Sequence, residues 1–199
     1  MTSIASASKA RHMRPYRLRT CLLYAAILLG IAGPAQAWEL VGTKQLELRT
    51  RDGTSIPIGT VTFTPGPDAT RFVVTLDRTK FKDFFLSMRE FKCVEGPEVQ
   101  CHVPYPYANP GTVRPGDYAW LEHALLFLYK APADYGAKLS NGLYYALQKT
   151  EDGLVGRPMA VDLNDIAAPP QDPSVPPFDQ AARADIVPGA RWIEALDIR

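Results

Sequence analysis

The sequence predicts a mainly β domain with one helix and a single disulfide, with an α+β arrangement as the alternative. Three observations point there. Short runs rich in β-branched and aromatic residues are separated by Asp-Gly and Gly-Pro turns, two cysteines are spaced to close a hairpin, and one apolar run near residues 117–130 has helical spacing. An antiparallel meander, barrel-like or strongly bent, is the simplest topology for such a series.

Residues 1–37 read as a cleaved signal peptide. Lys9, Arg11, Arg14, Arg17 and Arg19 precede the apolar run Cys21–Ala32, Gly33-Pro34 breaks it, and Ala35-Gln36-Ala37 is the small-x-small pattern that places cleavage before Trp38. The run is about 12 residues long where spanning needs about 20, so no stable membrane anchor is expected after processing. The reading implies a periplasmic or secreted protein. Without its first 37 residues the chain holds 17 Lys+Arg against 21 Asp+Glu, a formal charge of −4. Phosphate neutralisation needs clustered cations, so nucleic-acid binding is not expected.

KQLELRTR and TSIPIGTVTFTP flank Asp52-Gly53 and read as a hairpin, and RFVVTLD at 71–77 follows the turn Gly66-Pro67-Asp68 as a third strand. Residues 81–91 fit helix or strand; the second half of FKDFFLSMREFKC is read as a strand because of the register its last residue sets. If Cys93 faces Cys101 about Pro97, Val94 faces Gln100, Lys92 faces His102 and Phe91 faces Val103. The cysteines then share an apolar face with Phe91 and Val103, and Lys92 and His102 share a polar one. Cα atoms about 4.5–5.5 Å apart are expected for such a pair. Cys21 leaves with the signal, so the remaining two cysteines form an even set in an oxidising compartment.

PYPYANPGTVRPG at 104–116 holds four prolines and two glycines and reads as a loop. Asp117 is the expected N-cap of a helix near 117–130, with Tyr118, Leu121, Leu125 and Leu128 on one face. LYYALQKT and LVGRPMAVDL flank Asp152-Gly153 as a second hairpin. The domain is read as 38–167. Residues 168–199 form a proline-rich linker and a tail in which Trp192, Ile193 and Leu196 dock as one amphipathic helical turn, on this domain or on a partner.

FFLSMREFKC, CHVPYPY, LEHALLFLYK and SNGLYYAL, in that order, resemble a group of exported proteobacterial proteins with no assigned activity. The likeness covers roughly residues 38–166 and implies export; it carries no catalytic residue over.

Four constellations bear on chemistry. Cys93, Cys101, His102 and His123 are the residue types of a zinc site, but seven residues between the cysteines favour a disulfide, and no metal or cofactor is expected. Ser87 or a carboxylate, with His102 or His123, is the set a small secreted hydrolase would use, although no Gly-x-Ser-x-Gly elbow is present. Asp77, Asp83, Glu90, Asp117, Glu122 and Asp162 offer carboxylates whose spacing selects no pair. Tyr105, Tyr107 and Trp120, on and beside the proline-rich loop, are predicted to surround one concave surface suited to stacking. The leading expectation is therefore a non-enzymatic protein that binds an envelope component or a partner protein, with the hydrolase as the alternative.

Overall fold

The computed structural model describes residues 38–86 and 90–199, so the signal-peptide reading of 1–37 and the candidate nucleophile Ser87 lie outside the described residues. Among the described residues the strands are β1 (Gly42–Thr50), β2 (Ser55–Thr64), β3 (Thr70–Leu76), β4 (Lys82–Phe85), β5 (Glu90–Glu95), β6 (Val99–His102), β7 (Thr112–Val113), β8 (Phe127–Lys130), β9 (Gly142–Lys149), β10 (Leu154–Val161), β11 (Ala184–Asp185) and β12 (Ile193–Ile198), with one α-helix, α1 (Ala119–Ala124). They form one antiparallel sheet in the order β4-β5-β6-β8-β9-β10-β12-β1-β2-β3-β7, with β11 attached to β10. The ladder does not close: β4 ends one flank and β7 the other.

Both Asp-Gly hairpins form where the turn chemistry places them, joining β1 to β2 and β9 to β10. Gly53 takes the left-handed conformation at φ 85° that the first turn requires, while Asp52 accepts hydrogen bonds from Thr50 Oγ1 and Thr54 N–H. The ambiguous segment is extended on both described sides, as β4 and β5. The cysteine register is Lys92 with His102, Cys93 with Cys101 and Val94 with Gln100, and the disulfide is formed. Its Cα separation is 3.9 Å, closer than the 4.5–5.5 Å expected.

The sheet is buried on both faces in its middle. Along β9, Leu143, Tyr145 and Leu147 enter a cluster with Leu46, Leu48, Val61, Phe63, Val94 and Phe127, while Tyr144 enters the opposite cluster with Cys93, Cys101, Leu128, Val161 and Phe178. This two-sided burial corrects the helix expected at 117–130. The helix is only Ala119–Ala124; Phe127–Lys130 is β8, with Phe127 facing one cluster and Leu128 the other. A strand covered on both faces reads as an unbroken apolar run, which periodicity does not separate from a buried helix. Asp117 accepts from Ala119 N–H at 3.3 Å, but Tyr118 occupies the cap position.

The tail is also corrected. Ile193–Ile198 is a strand inserted between β10 and β1, not a helical turn, so the described domain includes the chain's last residues. Ile193 and Leu196 are fully buried. Trp192 packs on the β5–β6 turn, where a Cβ on Gly96 would lie 2.4 Å from the indole ring. Arg191 pairs with Glu98 at 2.9 Å and lies over the Tyr129 ring at 3.7 Å. The proline-rich stretch before it is anchored by Phe178, also fully buried.

Candidate functional site

His102 is the last residue of β6, half-buried and opposite Lys92. Its Nε2 lies 2.9 Å from the Ala124 carbonyl, which only accepts, so Nε2 carries the proton and Nδ1 is left as an acceptor. Burial holds this imidazole below the usual histidine range, with the Ala124 carbonyl acting against it. Three depressions of about 620, 540 and 400 Å³ meet at this ring. Val74 and Leu76 of β3 form one wall, Glu90 and Lys92 of β5 the other, and Pro104 and Tyr105 close one end. The groove thus follows the seam along which the sheet fails to close. The polar pair that the hairpin register defines, Lys92 and His102, is what lines it.

Lys92 donates to Asp83 and to Glu90, at 2.6 Å for the latter; these carboxylates raise the ammonium's pKa, and Lys92 holds the Asp83 carboxyl below its usual range. Arg78 lines the same groove and forms no ion pair among the described residues.

Tyr105, Tyr107 and Trp120 do come together: the Tyr105 ring is 5.5 Å from Tyr107 and 6.1 Å from Trp120. Of the three, Tyr105 lines the groove, with 8% of its surface exposed. Its buried hydroxyl has no hydrogen-bond partner among the described residues, and desolvation, followed by Tyr107, raises its pKa.

His123 lies on the other side of Tyr105, with ring centres 5.7 Å apart, and is fully buried. Nδ1–H donates to Ala119 O at 2.7 Å, and Nε2 accepts from Phe178 N–H at 3.2 Å. Both nitrogens are used, so this histidine serves packing and cannot act as a base without dismantling the contact. Burial pushes its pKa down to about 4, aided by Arg183. Neighbouring Glu122 accepts from the Tyr144 hydroxyl and from Leu147 N–H at 2.6 Å; burial raises its carboxyl against those two bonds. Arg183 completes the group, stacked 3.9 Å over Tyr144 and donating to Phe178 O.

The remaining sequence candidates have local roles. The sulfurs of Cys93 and Cys101 are bonded to each other, and no group of three or more metal-ligating side chains gathers among the described residues. Asp77 and Asp162 cap the short turns Arg78–Lys80 and Leu163–Ile166. Asp83 and Glu90 are held by Lys92. Among the described residues no helix is long and apolar enough to cross a membrane.

The wall residues Val74, Leu76 and Arg78 were not singled out from sequence; a strand edge becomes a site only when the opposite flank of the sheet faces it. A second concavity of about 600 Å³ beside β11 is lined by Arg157, Asp185 and Val187, but Arg157 and Asp185 are exposed and pair with each other at 2.8 Å. The seam groove, with a positioned imidazole, is the better-built site. Comparison with protein-family models, with curated proteins and with solved structures finds no match for this chain.

Proposed function

We propose that this is a non-enzymatic exported protein that binds an envelope component or a partner protein in the seam groove. The observation that carries the reading is the convergence of three depressions on His102, where apolar walls meet a polar strip of Lys92, Glu90 and Arg78. Few polar groups on an apolar concave surface are the ordinary composition of a recognition site. Tyr105 joins the groove to the aromatic cluster, so occupancy is reported by Trp120 and Tyr107 behind it.

The hydrolase reading retains only His102 as an imidazole base, because both nitrogens of His123 are already bonded. Titration of the purified protein with peptidoglycan fragments, phospholipid vesicles and peptides from envelope proteins, followed by amide chemical shifts, is the test. Saturable shifts at Lys92, His102 and Tyr105 are expected for one of these classes. Turnover of an ester, amide or glycoside substrate that disappears in His102→Ala would overturn the binding reading in favour of the enzyme.

A further inference from the structure

β3 bonds to β2 through one set of alternating residues and turns the other set toward the seam. Asp77 N–H donates to Ile58 O on the β2 side at 2.8 Å, whereas Phe72 N–H donates to Gly111 O on the opposite side, also at 2.8 Å. Residues two apart point their backbone groups the same way in an antiparallel strand. Val74 and Leu76 therefore direct N–H and C=O outward as Phe72 does. β7 pairs only with Thr70 and Arg71, so beyond Phe72 these groups have no backbone partner among the described residues. Val74 and Leu76 also line both lobes of the groove that face His102.

We propose that the groove receives an extended polypeptide segment of a partner protein, which pairs along β3 at Val74 and Leu76 and fills the break in the sheet. This rests on the groove reading above and names its ligand class. Only a strand offers donors and acceptors at the repeat of about 6.8 Å set by two residues of β3. Alternate side chains of that strand point inward, and the groove meets them with Val74, Leu76, Phe81, Pro104 and Tyr105. A sugar or a lipid headgroup matches the polar strip but leaves the four outward backbone groups of Val74 and Leu76 unused. The acceptor Nδ1 of His102 adds one polar contact from the facing strand.

The probe is a phage-displayed library of random dodecapeptides selected on the purified disulfide-bonded protein. Enriched sequences are resynthesised with N-methyl groups on one or the other alternating set of residues. The expected result is at least about tenfold slower amide exchange at Val74 and Leu76 with peptide bound. One N-methylated set should lose about tenfold in affinity, as for one lost hydrogen bond, and the other should stay within about twofold. Shifts at Lys92, His102 and Tyr105 without protection of Val74 and Leu76 would overturn strand pairing and leave the groove reading standing. No response in the groove to any enriched peptide, nor to the panel above, removes both readings. Protection of the two amides that grows with protein concentration and without peptide assigns the edge to a second copy and overturns the partner assignment.

Discussion

His123 keeps two hydrogen bonds, of which its protonated form keeps only the Nδ1–H donated to Ala119 O, because a proton on Nε2 would face the Phe178 N–H it now accepts from. Its folded pKa is depressed to about 4 from an ordinary 6.5. The unfolded chain thus takes up this proton first as pH falls, and stability complete above about 6.5 is lost down to about 4. The loss is about 3 kcal/mol at one kcal-scale step per pKa unit. His102, also depressed by burial, acts in the same direction. Glu122 is raised, so its folded form binds the proton more readily and offsets part of the loss as pH falls. The lowered Asp52, Asp77, Asp83 and Asp172 act only below the ordinary carboxylate range. In a His102→Gln background the urea midpoint should therefore fall between pH 7 and 4.5, and fall further once Glu122→Gln is added. A midpoint that rises with acid over this interval would contradict the assignment. Gly96 is the other decisive residue: Gly96→Ala forces a methyl into Trp192 and should cost about 1–3 kcal/mol, with a shifted indole emission, by urea unfolding.

At the scale of elements, β12 holds the sheet together. Without it β10 and β1 have no common partner, and Ile193, Leu196 and Ile198 leave the core. Each such side chain contributes roughly 1.5–3 kcal/mol on burial, so together they match a large part of a domain's usual margin of about 5–15 kcal/mol. Truncation after Pro177 should therefore abolish cooperative unfolding, read by near-ultraviolet circular dichroism; a truncated chain with a native-like transition would refute the role given to this strand. The disulfide is less critical. β6 is held by β8 as well as β5, so replacing Cys93 and Cys101 with Ala should cost roughly 2–3 kcal/mol and leave the β5–β6 register intact. Helix α1, six residues long, is too short to persist by itself; His102 and His123 bond to carbonyls near its two ends, and its buried face is Leu121, Glu122 and His123.

For the whole molecule, β1 near the start of the described residues pairs with β12, some 150 residues later, so the central ladder forms only once β12 is available. Non-local pairing of this kind places folding in the slower, millisecond-to-second range. The proposal of an exported protein includes removal of residues 1–37 by signal peptidase. Intact mass with and without alkylation is expected to give a chain beginning at Trp38 with no reactive thiol. Two alkylated cysteines without prior reduction would contradict the closed Cys93–Cys101 bond.

Local chemistry alone determined much of this protein. The Asp52-Gly53 and Asp152-Gly153 hairpins, the short β-branched strands and the Cys93–Cys101 register follow from turn residues and a period of two, which act over a few positions. Half of the site was legible too, because that register already set Lys92 opposite His102 on a polar face. Tertiary structure decided the rest. Phe127–Lys130 and Ile193–Ile198 each satisfy helical spacing over their short length, yet both are strands, since open ladder edges at β6 and β9, and at β10 and β1, accept their backbone groups. His123 and His102 look alike in sequence; one is enclosed by Phe178, from a segment some fifty residues later, and the other borders the seam opposite Val74. Hydrogen bonds and burial of that kind depend on which distant strands meet, and no window of neighbouring residues encodes them.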